Sequence, residues 1–256
     1  MEHTDEYDES LIAVLELIWG EGFMAPGGEG NVDNMVEGLE LQDKRVLDIG
    51  CGLGKPACIL AKKYGAYVVG TDLESHLIER SIQRAAEAGL TGQTEFRVVE
   101  PGPLDFADDS FDIIVCSGAF TQVHDKLSMY KECLRVLKPG GVLSCYDWMK
   151  SEGEYSRDML HWFELEGLTY AMETKDEHQQ LLLAAGFKTV TMSDRSAWFS
   201  RKVKQELEQL KTVSYPEVVK LIGQKKAEHF IEDWRLTSLI CEKEEMLQVY
   251  SRAIKA

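Results

Sequence analysis

The chain has 256 residues, an apolar content of 44% and a formal net charge of −16. It is long enough for one large α/β domain, and its acidic balance argues against DNA or RNA as a partner, because polyanions require a basic protein face. The acidic N-terminus shows no signal peptide and no apolar run is long enough to span a bilayer, so we expect a soluble cytoplasmic protein without membrane contact.

The first predicted element is an amphipathic helix over 9–19. Its apolar residues recur at helical spacing: Leu11, Ile12, Val14, Leu15 and Ile18. A glycine-rich loop over 20–28 follows, and then a short helix that ends near residue 39. This part of the chain precedes the first predicted strand and therefore forms an N-terminal arm.

Strands and helices alternate from residue 45 onward. Strands are predicted over 45–49, 67–72, 94–99, 111–116 and 142–147, separated by helices over 54–64, 75–88 and 126–137. This alternation predicts a parallel sheet with helices on both faces. Ligands bind such sheets at the carboxyl ends of the strands, where the sequence places Asp48, Asp72, Glu100, Ser117 and Asp147.

The segment 151–175 breaks the alternation. It is rich in acidic and aromatic residues, and we interpret it as a helical insertion over the edge of the sheet. A helix over 175–185, a strand over 187–193, helices over 198–211 and 214–229, and a last strand near 246–255 complete the prediction.

The six cysteines form neither a C-x-x-C pair nor a zinc-binding spacing. We therefore expect buried free thiols in a reducing compartment, and no metal site. They are Cys51, Cys58, Cys116, Cys133, Cys145 and Cys241.

A glycine-rich turn follows the first strand. Asp48 ends the strand, and Gly50, Gly52 and Gly54 follow at alternate positions, where missing Cβ atoms allow close approach of a ligand. Asp72 ends the second strand 18 residues after Gly54, near the spacing at which such folds place a carboxylate on ribose hydroxyls. The two motifs together predict a bound nucleoside.

The D-x-G-x-G-x-G form of this loop resembles the class I S-adenosylmethionine-dependent methyltransferases. The resemblance implies a Rossmann-like, seven-stranded α/β fold with helical lid insertions, and S-adenosylmethionine as the cofactor. It also implies one domain over 1–256, with a lid arm (1–40), a cofactor-binding core (41–150) and substrate-side insertions with the last strands (151–256). The implied cofactor contacts are Asp48, Gly50, Gly52, Gly54, Asp72, Leu73, Glu100, Pro101 and Ser117, with Glu100 in place of the family's usual aspartate.

Two subgroups of these methyltransferases resemble the chain more closely. The arm, with Tyr7 and the run 19–28, resembles the phosphoethanolamine N-methyltransferases, and the run 147–153 is similar to the sarcosine/dimethylglycine methyltransferases. The first resemblance implies that Tyr7 closes over the active site and acts with a histidine. That histidine's place falls on Gln122, with His124 two residues later, so either residue is a candidate. Met24, Trp148 and Tyr170 are the implied substrate contacts.

The phosphate-binding residues of the phosphoethanolamine enzymes do not all have counterparts. Tyr170 keeps their tyrosine, but their arginine falls on or near Leu168 and their lysine around Leu236 and Thr237. A buried phosphate without cations is costly, which argues against phosphoethanolamine as the acceptor. Aromatic side chains suit an ammonium group instead: Trp148, Trp162, Phe163, Tyr170 and Trp198.

These observations predict N-methylation of a small amine. Methylation at oxygen or sulfur of a more apolar metabolite is one alternative, because aromatic side chains also tolerate such acceptors. A non-catalytic S-adenosylmethionine-binding module is another. The expected partner is a small-molecule acceptor, and the sequence favours no particular oligomeric state.

Overall fold

A computed structural model describes residues 7–167 and 170–256. Within them, seven strands form one sheet in the order β3-β2-β1-β4-β5-β7-β6. The strands are β1 (Arg45–Ile49), β2 (Tyr67–Asp72), β3 (Thr94–Val98), β4 (Phe111–Ser117), β5 (Leu137–Lys150), β6 (Thr189–Asp194) and β7 (Met246–Ile254).

Ten α-helices and one short 3₁₀ helix (Ala119–Gln122) surround the sheet in the described part of the chain. They are α1 (Glu9–Trp19), α2 (Gly28–Val36), α3 (Lys55–Tyr64), α4 (Ser75–Glu87), α5 (Lys126–Val136), α6 (Arg157–Glu166), α7 (Lys175–Ala185), α8 (Ser196–Lys211), α9 (Tyr215–Ile222) and α10 (Gln224–Glu242).

The sheet is parallel from β3 to β5, but β7 runs antiparallel to both of its neighbours, β5 and β6. The parallel pairing predicted for the first five strands is therefore confirmed, whereas the sequence predicts no direction for β7. Alternation of helices and strands implies parallel crossovers, whereas β7 inserts between two strands that already point the same way.

The central strands are buried on both faces, as in other helix-covered sheets. Val46 of β1 and Val68 of β2 pack with α2 and α3 on one face. The alternate residues Leu47 and Val69 pack on the other face, where α5 and α7 lie. This two-sided core fixes the carboxyl ends of β1, β2, β4 and β5 along one edge.

Helices α1, α6, α8, α9 and α10 share a separate apolar cluster, which we call the cap. The predicted insertion over 151–175 contributes α6, which begins after the capping residue Ser156 and ends at Gly167 in a left-handed conformation. The predicted helix over 214–229 is instead two helices. Gly223, at φ +79°, ends α9, and α10 then continues to Glu242.

All six cysteines are buried and free, as predicted. No helix in the described ranges combines the length and apolarity that a membrane crossing requires.

Candidate active site

The glycine turn lies at the carboxyl end of β1. Gly50, Gly52 and Gly54 have φ values of +70°, +52° and +76°, which side chains with a Cβ rarely adopt. The N–H groups of Gly50 and Cys51 donate to the Thr71 carbonyl at 2.8 and 3.0 Å. The turn is thereby held against β2.

The space beside each glycine has a different occupant. A Cβ on Gly50 would clash with the Ala119 side chain, and a Cβ on Gly54 would lie 2.8 Å from Ser81 Cβ. A Cβ on Gly52 would lie 3.0 Å from Met24 Sδ of the arm. The missing Cβ atoms therefore make room for neighbouring segments of the protein.

Asp72 joins the two loops that follow β1 and β2. Its Oδ2 accepts from the Gly52 N–H at 2.9 Å, and its Oδ1 accepts from the Glu74 N–H at 3.2 Å. A carboxylate offers about four lone-pair sites, so two remain for a ligand's hydroxyl groups. Burial raises the pKa of this carboxyl group, although the two backbone bonds oppose the rise.

Asp48 is buried beneath the turn. It is 1% exposed, and its Oδ2 has no hydrogen-bond partner among the residues described. Burial, and then the charge of Asp72, raise the pKa of Asp48 to about 7. An unpaired carboxyl oxygen beneath the turn can accept a hydrogen bond from a cationic group of a cofactor.

Two apolar side chains are exposed at the carboxyl ends of β2 and β3. Leu73 is 56% exposed and Val98 is 49% exposed, and Val98 is the register partner of Asp72. Glu100 and Pro101 follow them, both exposed. This surface is one that a flat base would cover. Val98 is not among the predicted contacts, because within a strand pattern it is indistinguishable from a core residue.

The arm is tethered to α4. Glu16 of α1 pairs with Arg80 and Arg84 at 3.2 Å each, and Arg84 also pairs with Glu21 at 2.9 Å. At the start of the arm, His76 Nε2 donates to the Tyr7 carbonyl at 3.0 Å. Together with the contact between Met24 and Gly52, these bonds hold the arm across the glycine turn.

An aromatic cluster reaches this turn through Tyr7, which also packs against Leu53 of the turn. The Tyr170 ring stacks on Trp162 at 4.8 Å and lies 6.2 Å from Trp148, which follows Asp147 in β5. Tyr7 packs in the same cluster. The Trp148 indole nitrogen is buried and has no hydrogen-bond partner in the described structure. We call Trp148, Trp162, Tyr170 and Tyr7 the aromatic chamber.

The 3₁₀ turn after β4 borders the chamber. The Ala171 N–H donates to the Thr121 carbonyl at 2.8 Å, so Tyr170 lies close to this turn. Gln122 is half-buried next to Thr121, whereas His124 is exposed. Ser117, which precedes the turn at the end of β4, is half-buried.

The positions implied for phosphate binding carry no cation where they can be examined. Leu236 and Thr237 are buried on α10. Leu168 lies outside the described residues. Within those residues, no group of three or more His, Cys, Asp or Glu side chains is arranged to hold a metal ion.

The methyltransferase domain family matches residues 47–145, which include the glycine turn and both of its flanking strands. The chain belongs to the class I S-adenosylmethionine-dependent methyltransferases. Its predicted family, its Rossmann-like seven-stranded fold and its cofactor, S-adenosylmethionine, are thereby confirmed.

Related proteins align with most of the length of this methyltransferase. It is 32% identical over 204 residues, 79% of its length, to phosphoethanolamine N-methyltransferase 1 of Zea mays. It is 26% identical over 234 residues to the phosphoethanolamine N-methyltransferase of Plasmodium falciparum, with 90% of this chain and 86% of the relative covered. It spans only 40% of the length of the maize protein.

Solved structures share the fold. Phosphoethanolamine N-methyltransferase 2 of Haemonchus contortus, in complex with phosphomonomethylethanolamine and S-adenosylhomocysteine, superposes with a TM-score of 0.90 at 20% identity, covering 98% of this methyltransferase and 59% of that chain. A Galdieria sulphuraria protein with the proposed activity of a sarcosine dimethylglycine methyltransferase gives 0.86 at 18% identity, covering 97% and 98%. At these identities the likeness establishes the fold.

Proposed function

We propose that this methyltransferase transfers a methyl group from S-adenosylmethionine to the nitrogen of a small amine. The observation that carries the proposal is the aromatic chamber beside the glycine turn. The rings of Trp148, Trp162 and Tyr170 pack on one another there, and an ammonium group that reached them would be attracted to their π faces. The relatives named as phosphoethanolamine N-methyltransferases support an amine acceptor.

The cofactor would be held along the strand ends. The backbone of Gly50, Gly52 and Gly54, with Asp48 beneath it, would hold the methionine part, and Asp72 would accept from the ribose hydroxyls. On the outer side, Leu73 would cover the adenine base, with Glu100, Pro101 and Ser117 around it. When bound, the cofactor supplies a methyl group that is already activated for in-line displacement.

The chain's own residues then control the acceptor. Tyr7 closes the chamber, which excludes water and positions the amine. A glutamine amide accepts a hydrogen bond but does not take up a proton at neutral pH, so Gln122 orients the amine without deprotonating it. An amine that arrives as an ammonium ion must lose its proton before its lone pair can attack. We assign a relay role to Tyr7 Oη, which takes up the ammonium's proton while its own phenolic proton passes to solvent.

A panel of acceptors tests the proposal. Purified protein is incubated with S-adenosylmethionine and with amines, phosphoethanolamine, catechols and thiols, and products are detected by mass spectrometry. We expect methylated amines, and little methylated phosphoethanolamine because Leu236 and Thr237 provide no cation. Product only from hydroxyl or thiol acceptors would contradict N-methylation. Absence of S-adenosylhomocysteine with every acceptor would favour a non-catalytic binding module.

A further inference from the structure

Two acids adjoin the aromatic chamber, of which Asp233 is buried and Glu166 is half-buried. Glu166 ends α6, and Asp233 lies within α10. Their carboxyl groups are within hydrogen-bonding reach of each other. The Tyr170 hydroxyl donates to Glu166 Oε2 at 3.3 Å, which connects this acid pair directly to the chamber.

Unpaired polar atoms converge on the pair. Asp233 is 6% exposed, and its buried Oδ1 has no hydrogen-bond partner within residues 7–167 and 170–256. Trp162 is fully buried, and its Nε1 faces Asp233 without forming a hydrogen bond of ordinary geometry. The acid pair is therefore incompletely satisfied by the side chains that surround it.

No salt bridge of the described residues reaches either acid. Burial, followed by the charge of Glu166, raises the pKa of Asp233 well above its usual range, and burial also raises the pKa of Glu166. Two adjacent carboxyl groups without a cation, one of them buried, are costly, and apolar residues at these positions would stabilise the cap better. A ligand that brings a positive charge accounts for the arrangement.

The acid pair is linked to the reacting end of the site through Tyr170. The next residue, Ala171, bonds to Thr121 beside Gln122. Tyr170 and its neighbour thus connect the acid pair to the turn that carries Gln122.

We propose that Glu166 and Asp233 bind a second, cationic nitrogen of the acceptor, so that the preferred substrates are short diamines. The proposal rests on the N-methyltransferase function proposed above. One nitrogen is methylated in the aromatic chamber, while the other remains an ammonium ion held by the acid pair. Amines whose far end carries carboxylate or phosphate are repelled by the same pair.

Four acceptors of equal carbon length test this specificity: 1,3-diaminopropane, 3-amino-1-propanol, propylamine and β-alanine. We expect kcat/KM for the diamine to exceed that for propylamine by roughly 10- to 100-fold, the range of a charge-assisted hydrogen bond. β-Alanine should be the poorest of the four. Calorimetric titration of 1,3-diaminopropane into protein saturated with S-adenosylhomocysteine gives the binding preference without turnover.

Asp233→Asn is the decisive variant, with Glu232→Gln as its matched control. Glu232 is the neighbouring acid on α10, but it is exposed and paired with Arg235. Asp233→Asn should lower diamine affinity by roughly 10- to 100-fold and lower the ratio of kcat/KM for the diamine to kcat/KM for propylamine by a similar factor. S-adenosylhomocysteine affinity should stay at the wild-type value, and the melting temperature should rise, which shows that the variant is folded.

The outcomes separate the two proposals. Equal turnover of propylamine and the diamine, or full diamine affinity in Asp233→Asn, would overturn the diamine assignment and leave N-methylation standing. Methylation of hydroxyl or thiol acceptors with none of the four amines would overturn both. A loss in Glu232→Gln equal to that in Asp233→Asn would show a general charge effect and would also refute a specific role for the pair.

Discussion

At the scale of single residues, the two acids of the glycine turn have different environments. Asp72 accepts two backbone hydrogen bonds, whereas Asp48 retains an unpaired oxygen. Asp72 therefore organises the loops, and Asp48 is held at an energetic cost. The cost is relieved when Asp48 is protonated or when a ligand supplies a donor.

Asp48→Asn should stabilise the free protein more at pH 7 than at pH 5. The folded-state pKa of about 7 lies above the unfolded value of 3.8, so the folded state binds the extra proton and stability falls as pH rises toward 7. Asparagine does not titrate, so this pH dependence is lost in the variant. The increase in the free energy of unfolding over wild type should therefore be about 2 kcal/mol larger at pH 7 than at pH 5. Urea unfolding of both proteins at each pH measures it. A gain that is the same at pH 5 and pH 7 would show that Asp48 is not the titrating group.

Tyr7→Phe should lower kcat by roughly 10- to 10⁴-fold, because positioning and proton transfer are lost together. Cofactor affinity should change little, since the hydroxyl group faces the acceptor. His124 is exposed, so His124→Ala is the matched control and should be nearly silent. The wild-type rate should keep rising with pH above neutrality as the amine loses its proton. Wild-type kcat in Tyr7→Phe would refute closure of the chamber by the arm.

The sequence predicts the two acids of the glycine turn but does not predict the acid pair beside the aromatic chamber. Asp48 and Asp72 each end a strand, so a local pattern places them on one edge of the sheet. Glu166 and Asp233 are separated by 67 positions and lie on two helices, and only the packing of α6 against α10 brings them together. No local pattern in the sequence indicates that pair.

At the scale of elements, the arm depends on one acid. Glu16 accepts from the Gly22 N–H at 2.7 Å and pairs with both Arg80 and Arg84. It thus holds α1 and the loop that follows it onto α4. The loop carries Met24 to the glycine turn, so the contact between arm and turn depends on Glu16.

Glu16→Ala should loosen the arm and raise KM for the acceptor roughly tenfold, because a partly buried charge-assisted network is lost. Hydrogen exchange of α1 should accelerate in the same variant. Glu9→Ala is the control, since Glu9 is exposed and makes a single 3.3 Å contact with Arg80. If both variants exchange and turn over alike, Glu16 does not hold the arm.

The predicted helices and strands agree with the structure except in two bounds and where a direction or a break is not encoded locally. The two bounds are the start of β5 at Leu137, before the predicted residue 142, and the end of α10 at Glu242, beyond the predicted residue 229. A single glycine is tolerated within a helix, so Gly223 gives no clear stop signal, yet its positive φ separates α9 from α10. The direction of β7 likewise leaves no mark on its alternation of side chains. It is set by the sheet neighbours that the chain offers when it returns from the cap.

At the scale of the whole molecule, cofactor binding should raise the free energy of unfolding. S-adenosylhomocysteine at a hundredfold excess over its Kd should add about 2.7 kcal/mol. This corresponds to a rise in melting temperature of about 5–10 °C for a chain of this size. Thermal scans with and without the ligand measure the rise. The Asp72→Ala variant should remain folded, but its melting temperature should rise much less when S-adenosylhomocysteine is added. A rise equal to that of the wild type would show that Asp72 is not part of the cofactor site.

The insertion of β7 between β5 and β6 sets an order of assembly. In the described structure β6 pairs with β7 alone, so β6 joins the sheet only after β7 has docked on β5. The segment between β6 and β7 contains α8, α9 and α10. Bringing the two ends of this long segment together is slow, because loop closure costs conformational entropy. The same step packs the cap helices against the strand ends. Refolding protein should therefore acquire acceptor binding last, together with its final two strands.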